Sequence, residues 1–184
     1  MTPSRRFLQC LAIAAAASAC VALPAAAQRT HVLIVSGLSG DPAFKRAFQQ
    51  TATSVRDAAR TKWGVSDSSL IVLTEDSLPT PLSRGRSTRA AVGRAFTTLS
   101  TRTQPGDVLM VLLLGHGSGE GPGSKVNLPG PDATAAEYAG WLSGFAKQSV
   151  VFVNAATGSG DFVEVLRAPG RIVPSNLYFT TSRE

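Results

Sequence analysis

The residues best suited to chemistry surround one histidine. In "LLLGHGSGEGPG", residues 112–123, His116 stands between two glycines where an apolar run stops, and His31 is the only other histidine. An imidazole takes a proton near neutral pH, with an unperturbed pKa of about 6.5, so His116 is the candidate general base. Flanking glycines let peptide N–H groups approach a substrate oxygen, as an oxyanion hole requires. The structural alternative is a histidine that only hydrogen-bonds its own loop. A second glycine-rich stretch, "NAATGSGD" (154–161), follows the next apolar run and offers hydroxyls. Neither "HGSGE" nor "TGSGD" fits G-x-S-x-G, so the strand-to-helix elbow of an α/β-hydrolase is missing. "GLSGD" lacks the G-K-[ST] of a Walker loop. With no H-E-x-x-H and two histidines in all, a catalytic zinc site is not expected. No metal and no cofactor is expected.

The first 28 residues read as a secretory signal peptide: Arg5 and Arg6, then "LAIAAAASACVAL", then an A-x-A cleavage site after Ala27. The apolar stretch is shorter than the ~20 residues of a membrane span. A lipoprotein anchored at Cys20 is the alternative, and the arginine pair leaves general and twin-arginine export both open. The expected location is the periplasm or outside the cell, with no membrane association once the signal is removed. Removing 28 of 184 residues leaves 156, suited to a single domain, 29–184. Cys10 and Cys20 leave with the signal, so the mature chain has no disulfide, thiolate metal site or thiol nucleophile. Two of the 18 Lys and Arg residues lie in the signal, leaving 16 against 12 acidic residues, or +4. Arg84, Arg86, Arg89 and Arg94 cluster in "RGRSTRAAVGR", a patch able to attract phosphate or an anionic surface. It reads as a solvated helix face, and with no nucleic-acid motif beside it no nucleic-acid partner is expected.

The elements that must position these residues alternate. "THVLIVSG" is a buried strand. Asp41 and Pro42 then start a helix over 42–62, with Phe44, Phe48, Ala52, Val55 and Ala59 on its inner face. "SSLIVLTED" is a second strand. "STRAAVGRAFTTLS" is a helix whose inner face is Ala91, Val92, Ala95, Phe96 and Leu99. Asp107–Leu114 is the most apolar strand, followed by a long glycine-rich loop. In "DATAAEYAGWLSGFA", Thr134 and Glu137 make a capping box, and Tyr138, Trp141, Leu142 and Phe145 a buried stripe. "SVVFVNA" is the fourth strand, "GDFVEVL" a short helix, and "RIVPSNLYFTT" holds a fifth strand broken or delayed by Pro174. This order implies an α/β fold: a three-layer α/β/α sandwich with a mostly parallel sheet of about five strands. Sites in such sheets form beyond the carboxyl ends of strands, where strand order reverses. The loops to examine are therefore 36–41, 74–77, 115–121 and 154–161.

Three stretches carry a family resemblance. "HVLIVSGLSGD", "PGDVLMVLLLGHGSGEG" and "VVFVNAATGSGDF" resemble, in order and spacing, the strand ends of the caspase–legumain superfamily, specifically a bacterial legumain-like branch of the C13 peptidases. The likeness spans about residues 31–181. It implies a caspase-like sheet, His116 as general base, and the Gly117 N–H as part of an oxyanion hole. Ser39 falls near the family's histidine-orienting asparagine. Anchoring on Ser159-Gly160 puts Thr157 where active relatives carry the nucleophilic cysteine. A free thiol, with pKa ~8.5, is partly ionised near neutrality, whereas a threonine hydroxyl is far less acidic and its methyl crowds the attack. The likeness ends at "LYFTTSRE", where active relatives continue with a further strand and pocket-forming loops, so the chain is expected to be naturally short or truncated.

The expected function is thus a caspase/legumain-like domain, inactive as a cysteine peptidase, that binds or scaffolds a peptide or protein ligand. Oligomeric state is left open. The alternative is a hydrolase using Thr157 or Ser159 with His116. Ser159 lies between two glycines that would present its hydroxyl freely; its structural reading is a turn capping the helix at 161–166.

Overall fold

A computed structural model describes residues 28–76 and 82–174. The expected signal peptide up to Ala27, with both cysteines, and the region after Pro174 lie outside the described residues. The central sheet has five strands: β1 (Thr30–Ser36), β2 (Leu70–Leu73), β3 (Val108–Leu114), β7 (Ser149–Asn154) and β8 (Arg171–Ile172). Their order is β2-β1-β3-β7-β8, and every pairing is parallel. Full burial explains the unbroken apolar runs: Val32 to Val35 are all fully inaccessible. Strand order reverses at β1, whose neighbours β2 and β3 leave in opposite directions. The crevice beyond its carboxyl end lies between residues 37–41 and 115–117.

Helices cover both faces, completing the three-layer α/β/α sandwich. On one face α1 (Pro42–Thr61) packs Ala52 and Ala59 against Val32, Ile34, Val72 and Leu112. Asp41 caps it, accepting from the Ala43 N–H, and Pro42 opens its first turn without a donor to satisfy. The sequence places Phe44 on the inner face too, but its side chain is half exposed. The first turn of α1 runs past the sheet and out over the β3 loop. On the other face lie α2 (Arg89–Ser100), capped by Thr88, and α3 (Ala135–Leu142), which runs on as a 3-10 turn over Ser143–Phe145. With them sits α4 (Gly160–Leu166). Phe96, Tyr138, Phe152 and Phe162 form an edge-to-face and stacked aromatic core between these helices and the sheet. Trp141 is only partly buried, stacked on Phe96.

The glycine-rich loop after β3 is more ordered than its composition suggests. It folds into an antiparallel ribbon of β4 (Gly117–Ser118), β5 (Lys125–Val126) and β6 (Ala133–Thr134). Two-residue strands carry no readable alternation, and Gly119, Gly121 and Gly130 take positive φ at its turns. Thr134 closes β6 and at once caps α3 through the capping box with Glu137. The fifth strand ends at Ile172, before Pro174 rather than across it.

At the amino end of the sheet, His31 Nε2 lies 3.1 Å from Asp107 Oδ2, both residues buried. Asp107 also accepts from the Gln104 and Arg29 N–H groups. Burial pushes its carboxyl up, but these hydrogen bonds, the His31 contact and the Arg29 charge outweigh it and hold the pKa below the ordinary value of 3.8.

Candidate functional site

All four loops singled out in the sequence meet at the carboxyl ends of the strands, those after β1, β3 and β7 around His116 and the one after β2, through its described residues 74–76, behind Ser39. His116 follows Gly115 at the end of β3 and is half-buried. Its Nε2 lies 3.1 Å from the Ser39 carbonyl oxygen. A carbonyl only accepts, so Nε2 carries the hydrogen and the neutral ring keeps its free lone pair on Nδ1. Phe44 meets the imidazole edge-on, with centroids 4.9 Å apart at 89°, and Phe48 lies 5.8 Å away. The exposed first turn of α1 thus walls the histidine.

Ser39 orients His116 through its main chain, not its side chain. The buried Ser39 hydroxyl and N–H both turn the other way and donate to the Glu75 carboxylate, at 2.8 and 3.0 Å. Glu75 in turn lies 3.6 Å from Lys45 Nζ, which also binds Asp76. The hydrogen bond to Asp76, with the charges of both acids, raises the Lys45 pKa against partial desolvation. A line of support therefore runs from the β2 loop through Glu75 and Ser39 to the imidazole. Residue type alone does not reveal it, because the decisive contact is a backbone carbonyl.

Gly117 admits no side chain: a Cβ there would lie 2.3 Å from the Lys125 carbonyl and 2.7 Å from that of Thr157. That close approach brings its main chain to the Thr157 hydroxyl. The Gly117 N–H donates to Thr157 Oγ1 at 3.0 Å, and Thr157 Oγ1 donates to the Gly117 carbonyl at 3.1 Å. The hydroxyl proton is thereby committed to a carbonyl, and the N–H read as an oxyanion donor is occupied. No hydrogen bond joins His116 to Thr157 or to Ser159 among the described residues.

Ser159 is not freely presented. It is only 9% exposed and sits at the N-cap position of α4, yet with helical φ and ψ and no side-chain capping bond. Asp161 and Ser124 instead fasten this loop to the ribbon, by the Gly121 N–H to Asp161 Oδ2 at 2.8 Å and the Ser124 hydroxyl to the Gly158 carbonyl at 2.9 Å. One step earlier, buried Asn154 holds the Ala156 N–H through Oδ1, while its Nδ2 has no partner among the described residues.

No family profile matches the chain, and no curated protein matches it. Among solved structures, 29 chains match. One is the crystal structure of protein GSU0716 from Geobacter sulfurreducens, 18% identical with a TM-score of 0.51. The match covers 70% of this chain and 50% of that one, so this chain spans about half the length of its structural neighbour. At that identity the likeness concerns the fold alone.

Proposed function

We propose that this chain is an exported caspase/legumain-like (C13 peptidase-like) domain that no longer works as a peptidase and holds a peptide or protein segment over the His116 loops. One observation carries the reading: the Thr157 hydroxyl is bonded at once to the N–H and the carbonyl of Gly117. A hydroxyl nucleophile needs its proton on a base and a vacant donor for the developing oxyanion. Here the proton faces a carbonyl, and the donor faces the hydroxyl itself. The walls of the crevice are otherwise those of a binding cleft, with an oriented imidazole, the exposed Phe44 ring and half-exposed Leu38 on the adjoining loop.

Incubation of the folded protein with a broad peptide library tests this. No cleavage is expected, and no fluorophosphonate or β-lactone adduct at Thr157 or Ser159. Cleavage that disappears in His116→Ala, or an adduct on either hydroxyl, overturns the reading in favour of a hydrolase.

A further inference from the structure

A second feature lies apart from the His116 loops, along the β2 edge of the sheet. A groove of about 740 Å³ runs between β2 and α2, within the size range of ligand sites. Its floor is apolar, with Leu73 of β2 buried and Ile71 of β2 and Ala91 of α2 partly so. Its rim is cationic: Arg84, Arg86, Arg94 and Arg102.

How these guanidinium groups are held decides what the groove can do. Arg84 donates to the Asp67 carbonyl at 2.9 Å, Arg102 to the Ser68 carbonyl, and Arg86 to the Glu75 carbonyl at 3.3 Å. Each acceptor is a neutral main-chain oxygen, which fixes the side chain without cancelling its charge. Arg94 has no hydrogen-bond or ion-pair partner among the described residues. The carboxylate that lines the groove, Asp67, is paired with Arg60 of α1 at 3.2 Å. Arg84 and Arg102 grip consecutive carbonyls, so two like charges are drawn to one end of the groove, where the Asp67 carboxylate is already taken by Arg60, an arrangement that an incoming anion stabilises. The Arg86 guanidinium is anchored beyond the other end of β2, on Glu75, with the four residues Leu70–Leu73 between the two anchor points, about 13 Å of extended chain.

We propose that this groove binds an extended acidic segment of another protein, with carboxylates at both ends and apolar side chains between. A guanidinium takes a carboxylate bidentately in its planar fork. A single small anion reaches one end only, whereas a strand-like segment of about six residues spans both. The apolar floor favours a peptide over a nucleic acid or polyphosphate, whose charged backbones set no aliphatic group against Ile71 and Ala91.

Fluorescence anisotropy on the full chain tests the proposal with a labelled eight-residue peptide, two glutamates at each end of Leu-Thr-Val-Leu. Saturable, salt-sensitive binding is expected. It weakens about five- to tenfold in Arg94→Gln, which disturbs no bond of the fold, and more in Arg84→Gln with Arg102→Gln. His116→Ala leaves it unchanged, which separates this groove from the cleft proposed above. Equal affinity in wild type and Arg94→Gln overturns the proposal. So does equal binding when the central four residues are replaced by Gly-Ser-Gly-Ser, or tighter binding of double-stranded DNA or tripolyphosphate than of the peptide.

Discussion

Replacing Gly117 by alanine places a methyl carbon 2.3 Å from the Lys125 carbonyl and 2.7 Å from the Thr157 carbonyl. Both obstacles are main chain, so neither can rotate aside. The ribbon is too small to absorb the shift, since β4 and β5 are joined over two residue pairs, Gly117 with Val126 and Ser118 with Lys125. Overpacking of this kind costs about 1–3 kcal/mol. Loss of the reciprocal Thr157–Gly117 hydrogen bonds adds about 1 kcal/mol. For a domain of this size each kcal/mol moves the melting temperature by about 2–4 °C, so Gly117→Ala is expected to lower it by about 5–15 °C. Differential scanning calorimetry reads this, with Gly140→Ala as the matched control. Gly140 lies in α3 with nothing within 4 Å of an added Cβ, so its alanine gains helix propensity and melts at the wild-type temperature or a few degrees above it. A Gly117→Ala protein melting together with wild type would refute the steric account of the His-Gly pair, and with it the view that Gly117 is required by packing.

Tyr138 is fully buried and its hydroxyl has no partner among the described residues, with burial raising its pKa well above the ordinary value of 10.0. Tyr138→Phe removes an unsatisfied group while keeping the ring packing, so urea denaturation should show stability unchanged or raised by up to about 1 kcal/mol; a loss above that means the hydroxyl is bonded. Asp107 has a depressed pKa in the folded state. Its stabilising contribution is therefore present above the unfolded value of about 3.9 and is lost as pH falls through the lower folded value. Asp107→Asn should be less stable at neutral pH and show a flatter decline in stability below about pH 4; parallel wild-type and variant curves would contradict this.

The sheet and its helices were legible because burial and sequence pattern coincide there. β1, β3 and β7 are unbroken apolar runs, and Asp41, Thr88 and Thr134 each announce a helix with the side chain that caps it. The site was legible in part. Strand-end logic brought loops 36–41, 115–121 and 154–161 together, but Phe44 read as core because helical periodicity does not show where a sheet ends beneath a helix. Glu75 lies in loop 74–77, which strand-end logic also singled out, but its link to the histidine was hidden: its partner Ser39 reaches His116 by a carbonyl that every residue type possesses. The arginines of "RGRSTRAAVGR" read as a solvated face, since nothing in residue order shows that Arg102 joins Arg84 on consecutive carbonyls.

Thr134 belongs to two elements at once, pairing with Lys125 as the end of β6 and accepting from the Glu137 N–H as the cap of α3. Ala135, the first helical residue, also donates to the Ser124 carbonyl in the ribbon. The ribbon in turn grips the histidine's own backbone, through the Asn127 N–H to the His116 carbonyl. The stretch from His116 to α3 therefore has no hinge of its own. To swing the imidazole loop aside, the protein must uncap a helix anchored in the aromatic core. Motion here belongs to the slow regime of cooperative local unfolding, not the fast regime of free loops. Whatever enters this crevice meets a stiff wall and must bring its own flexibility.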